Sequence, residues 1–162
     1  MDLFYDNALT EFIFQQRAKL DEIQIWLNIA DTKEFKDFVI ELNTEEQLYL
    51  KGVDSTGKLL TNKNTGKTTY APLTIQIKRE KGGKAARVTN ITLFDTGDYY
   101  ESHEVTVTAQ GFEIDADPVK EDTNLFEEWG EEIVGLTDES LQKLITYLLN
   151  KYLEYGSNII FN

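Results

Sequence analysis

The stretch His103-Glu104-Val105-Thr106-Val107-Thr108-Ala109-Gln110-Gly111-Phe112-Glu113-Ile114-Asp115 alternates apolar and polar residues on both sides of a break at Gly111. β-Branched and aromatic residues at every second position suit a pleated, half-buried surface, so two antiparallel strands are expected here. Upstream, Ile91-Thr92-Leu93-Phe94 reads as a further strand, punctuated by Gly97. Outward from this sheet the apolar period changes from two to three and four. Leu9, Phe12, Ile13, Leu20, Ile23 and Leu27 predict a helix over about 8–29. Phe35, Phe38, Val39, Leu42 and Leu48 predict helix over about 33–50, with Thr44 as an internal N-cap that breaks it and Gly52 as its stop. On the other side, residues 124–133 read as a short helix with Leu125, Phe126 and Trp129 inward, and Gly130 lets its end approach another backbone closely. Thr137 then caps a final helix with the stripe Leu141, Leu144, Ile145, Leu148, Leu149 and Tyr152, stopped by Gly156. Helices segregated around an antiparallel sheet make an α+β fold.

A chain of 162 residues, 41% hydrophobic with nine Phe, eight Tyr and two Trp, has the size and composition of one folded domain. The expected organisation is helical over 1–50, an extended basic arm over 51–90, antiparallel strands over 91–117, helices over 123–156 and an apolar tail over 157–162. No cysteine and a single histidine exclude a thiol nucleophile, a disulfide framework and the usual zinc or iron–sulfur ligand sets, and no cofactor is expected. The opening Met1-Asp2-Leu3-Phe4-Tyr5-Asp6 lacks the basic-then-apolar pattern of an export signal, and no run reaches the length of a membrane span. Synthesis in the cytoplasm and no membrane partner are therefore expected.

Charge is unevenly distributed. Residues 51–90 hold nine Lys/Arg against Asp54 and Glu80, a net +7 in a chain of net −13, which leaves −20 for the remainder. Gly, Thr, Asn and Lys dominate the segment and its periodicity is weak, the signature of a long loop that acts on a partner. Tyr70-Ala71-Pro72-Leu73-Thr74 is its apolar anchor, and Thr74 starts a short helix to Lys78. The expected partner surface is Lys58, Lys63, Lys67, Tyr70, Pro72, Lys78, Arg79, Lys81, Lys84 and Arg87, joined by Ile159, Ile160 and Phe161 of the tail. The complementary acidic body lies on the same chain, which favours self-association over nucleic acid; the interleaved aromatics of a base-stacking platform are missing apart from Tyr70.

Four strings carry hints of chemistry. Leu93-Phe94-Asp95-Thr96-Gly97 looks like the aspartic-protease signature, which would require two Asp95 carboxylates paired in a dimer; as a turn, Asp95 bonds local backbone and Gly97 takes a positive φ. Asp95, Asp98 and Glu101, or Asp115 and Asp117 with Glu121 and Asp122, group oxygens for a hard cation without the spacing of a calcium loop. His103 has no nucleophile elbow beside it and reads as a surface residue with Ser102. Gly66-Lys67-Thr68 lacks the earlier glycine of a phosphate loop, since Thr61 stands in its place.

Four further segments, in order, carry a resemblance: Gly52-x-Asp54-Ser55-x-Gly57-Lys58; Tyr70-Ala71-Pro72-Leu73-Thr74 with Lys78; Leu93-x-Asp95-Thr96-Gly97-x-x-Tyr100-x-Ser102; and Leu125 to Gly130 with Ile133-Val134-Gly135-Leu136-Thr137. Together they span about 52–137. This arrangement resembles the phage virion-morphogenesis and tail-completion (neck) family, and within it a Bacteroidetes-phage branch. The resemblance implies a non-enzymatic α+β subunit of a six- or twelve-fold ring in the virion neck, assembled in the host cytoplasm, with portal, connector or tail proteins as neighbours and the long loop reaching an adjacent subunit. The Thr61–Thr69 insertion, the long final helix and the Ile159–Phe161 tail depart from the family pattern.

Overall fold

The computed structural model describes residue 11, residues 22–120 and residues 123–161, with the side chains of 159–161 excepted. Most of the helix expected over 8–29 therefore lies outside the described residues; its end is α1, Glu22–Ala30. Thr32 turns the chain into α2, Lys33–Glu41, its hydroxyl accepting from the Phe35 amide at 3.2 Å. Without a break, α2 widens into a π-helical segment, Leu42–Lys51. Thr44 does not interrupt it, because its hydroxyl donates back to the Ile40 carbonyl at 2.8 Å instead of capping a new turn. Gly52, at φ 65°, closes the segment as expected.

The hairpin forms as read: β1, Glu104–Thr108, pairs antiparallel with β2, Gly111–Asp115, in the register Val105 opposite Ile114 and Val107 opposite Phe112. These four side chains face the helices. Trp26, Phe35 and Phe112 meet edge to face, Phe38 stacks on Tyr147 at 4.9 Å, and the Trp26 indole donates to the Thr108 carbonyl at 2.7 Å. This cluster, with Val39, Leu42 and Leu144 buried at its centre, fastens α1, α2 and the hairpin to the last helix. That helix is α6, Asp138–Phe161; before it come α3, Pro72–Lys81, α4, Asp98–Glu101, and α5, Leu125–Trp129. A second small pair, β3 (Val119–Lys120) and β4 (Thr123–Asn124), leads into α5, whose first turn is capped by Asn124 accepting from the Phe126 amide at 2.9 Å. The fold is α+β.

Three further expectations fail. Ile91–Phe94 is not a strand: the buried Thr92 donates its amide to the Tyr70 hydroxyl at 2.9 Å and its carbonyl accepts from the Tyr100 hydroxyl, and Leu93 sits at φ 54°, a conformation no ladder accepts. Gly156 does not stop α6, Asp138–Phe161. A helical glycine costs about 1 kcal/mol relative to alanine, a cost the packing of this long helix outweighs. Ile159, Ile160 and Phe161 thus extend α6 rather than form a separate tail. Thr137 does cap it, accepting from the Ser140 amide at 3.2 Å.

The third failure concerns residues 51–90, which are not an extended arm. The Asp54 carboxylate accepts from the amides of Thr56 at 2.9 Å and Lys58 at 3.1 Å, and the Asn62 side chain accepts from those of Asn64 and Thr65, both at 3.0 Å. The Ser55 amide donates to the Glu132 carbonyl at 2.7 Å and the Lys63 amide to that of Glu128 at 2.8 Å. Leu60 is buried in a second core cluster with Leu48, Ile91, Tyr100 and Ile133. Two side-chain-braced turns and a buried leucine order the segment, after which α3 begins at Pro72, two residues ahead of Thr74. A short 3₁₀ turn, Gly83–Ala86, follows α3.

Candidate functional site

The basic residues divide into an inner set and an outer set. Inside, the Lys78 ammonium is buried, donates to the Phe94 carbonyl at 2.6 Å and lies 4.8 Å from the Tyr70 ring centre. Burial lowers its pKa, against the opposing pull of Asp95. Lys81 and Lys120 both reach the Asp95 carboxylate. The Lys81 hydrogen bond is the main cause holding that carboxyl below its ordinary value. These groups line a cleft of about 400 Å³ floored by Leu93, Phe94 and Trp129. Arg87 donates to the Leu50 carbonyl at 2.9 Å and covers the Tyr49 ring. Tyr70, Lys78 and Arg87 are therefore parts of the fold, not a free surface.

Outside, Lys58, Lys63, Lys67 and Arg79 are exposed and make no ion pair among the described residues. Three of them decorate the braced turns, with Leu59 58% exposed beside Lys58. Pro72 is exposed at the start of α3, and the side chains of Ile159, Ile160 and Phe161 lie outside the described residues.

Lys84 joins neither set. Its ammonium pairs with Glu45 and sits 4.9, 4.8 and 5.4 Å from the ring centres of Tyr49, Phe94 and Tyr100. Three rings and a carboxylate form an aromatic cage for a cation. The cage closes one end of a groove of about 450 Å³ walled by Asp37, Glu41 and Glu45 on one side and Gly97 and Glu101 on the other. The acidic wall was legible in outline, since Asp37, Glu41 and Glu45 recur every four residues along one helical face. The cage was not, because its rings come from three separate segments.

The remaining chemical candidates resolve as follows. Asp95 bonds two lysines rather than local backbone, while Gly97 does take a positive φ, 112°, at the head of α4. No group of three or more carboxylate or imidazole ligands occurs among the described residues; Glu121 and Asp122 lie outside them. His103 is buried, not on the surface: one ring nitrogen, Nδ1, lies 2.9 Å from the Tyr99 carbonyl, and Nε2 has no partner among the described residues. Burial lowers its pKa and keeps it neutral. No described helix is long and apolar enough to cross a membrane. No known protein family, curated protein or solved structure matches the chain.

Proposed function

We propose that this chain is a structural subunit of a bacteriophage virion, a neck or tail-completion component that acts by binding copies of itself and its portal, connector or tail neighbours. The observation that carries the reading is the outer cationic set. Lys58, Lys63 and Lys67 stand exposed on an ordered loop, without ion partners among the described residues, in a chain whose remainder carries −20. Charge held outward on a braced loop serves recognition, since internal pairing is what lysines of the inner set use for stability. The family resemblance over 52–137 supplies the virion context, with the ring formed in the host cytoplasm and no part in chemistry.

The aspartic-protease alternative draws less support. A shared-proton dyad raises one carboxyl pKa, whereas two lysines lower that of Asp95. The nucleic-acid adaptor would need exposed cations beside stacking rings, but of the lysines that lie on rings within residues 51–90, Lys84 is paired with Glu45 and Lys78 is buried on Tyr70. The test is native mass spectrometry and electron microscopy of the purified chain, alone and with virion neck components. A closed ring, or a monomer that becomes one on its partner, supports the proposal. A species that binds no virion part and does not self-associate sinks it.

A further inference from the structure

The structure contains two surfaces of opposite charge that share no residue. One is the braced loop with Lys58, Lys63 and Lys67 and the exposed Leu59; the other is the acidic groove beside α2. Asp37 and Glu45 are already tied to Lys33 and Lys84, whereas Glu41 and Glu101 have no ion partner among the described residues. The groove therefore has two uncommitted carboxylates above an apolar floor of Ile40 and Phe94. Its cage end shows what it accepts, because the chain's own Lys84 ammonium rests there among three rings.

We propose that the Lys58–Lys67 loop of one copy docks into the acidic groove of the next, its lysines on Glu41 and Glu101 and Leu59 on the Ile40–Phe94 floor. The inference rests on the reading of the chain as an assembling subunit and names the contact through which it assembles. Charge complementarity selects a second copy as the occupant. The turns that brace the loop reduce the ordering cost of docking. Because donor and acceptor surfaces differ, the contact is head-to-tail, the kind that repeats around a ring.

The experiment uses two full-length variants, Lys58→Glu/Lys63→Glu/Lys67→Glu and Glu41→Lys/Glu101→Lys, each checked for a native circular dichroism spectrum and melt. All five side chains are exposed and without ion partners among the described residues, and the long 3.4 Å bond from the Lys63 ammonium to the Phe126 carbonyl is a surface contact, so both variants are expected to fold. At low ionic strength each variant alone self-associates at least about tenfold more weakly than the parent chain, the range expected for losing close charge pairs. Mixed in equal amounts they restore the parent oligomer with alternating composition, since each acidic loop now meets a lysine groove and each basic loop an acidic one. An assembly indifferent to both variants, or one broken by each but not restored on mixing, overturns the loop-to-groove contact and leaves the assembly reading standing. A parent chain that stays monomeric in every condition, virion components included, overturns both.

Discussion

Replacing Gln47 with leucine tests how the two halves of the chain are held together. Gln47 is fully buried on the π-helical segment; its Nε2 donates to the Gly135 carbonyl at 2.9 Å and its Oε1 accepts from the Thr137 amide at 2.8 Å. Asn43, also fully buried, makes the matching pair, donating to the Ile133 carbonyl at 3.2 Å and accepting from the Gly135 amide at 3.4 Å. The i→i+5 bonding of a π-helix lets both amides face the same strap, residues 133–137. Leucine keeps roughly the volume of glutamine, so the loss is polar. The buried Thr137 amide is left unpaired at about 1–3 kcal/mol, and the half-buried Gly135 carbonyl at the lower end of that range. We expect a net loss of about 2–4 kcal/mol, or a fall in Tm of about 5–15 °C for a chain of this size. Urea unfolding followed by fluorescence and circular dichroism measures it, with an unchanged m-value if the change acts on the native state. The Asn43→Leu/Gln47→Leu pair should be non-additive, because both amides hold Gly135. A loss below about 0.5 kcal/mol, or strict additivity, would refute the claim that these amides latch the strap.

Three further outcomes follow from individual contacts. His103 is buried neutral with its pKa lowered, so its contribution is fully present above the unfolded value near 6.5 and is lost as pH falls toward the folded one. Stability should fall as pH drops below about 6.5, with a slope of at most about 1.4 kcal/mol per pH unit for one proton, and His103→Gln should flatten that slope. At Gly52 a Cβ would meet the Ile91 carbonyl oxygen at 2.8 Å while φ stays at 65°, so Gly52→Ala should cost about 2–4 kcal/mol by chemical denaturation; a neutral result would contradict the close approach. Asp95→Asn should cost only about 0.5–1.5 kcal/mol, since the carboxylate is 38% exposed to solvent. The Asp95 contribution is present above pH 3.9 and lost as pH falls through its lowered pKa, so parent and variant should converge in acid.

What the sequence determined by itself is whatever depends on neighbours along the chain. The β1–β2 hairpin follows from alternation around Gly111, the cap of α6 from Thr137, the start of α5 near residue 124 from its apolar spacing and the end of the π-helical segment from Gly52. The charge division between residues 51–90 and the rest was equally plain, as was the exposure of Lys58, Lys63 and Lys67. Tertiary structure decided the rest. Residues 51–90 looked like a free arm because their own periodicity is weak, yet carbonyls of Glu128 and Glu132 and the buried Leu60 hold them in place. Lys78 and Thr92 look like surface residues by type, and rings and carbonyls of other segments make their burial tolerable; His103 is buried by the fold although its carbonyl partner, Tyr99, is only four residues away. The cage around Lys84 draws Tyr49, Phe94 and Tyr100 from either side of it in sequence, and the amides of Asn43 and Gln47 reach residues about ninety positions away. Local pattern encodes hydrogen bonds closed within a turn, but a polar group whose partner is remote in sequence is assigned its role only when folding brings that partner within about 3 Å.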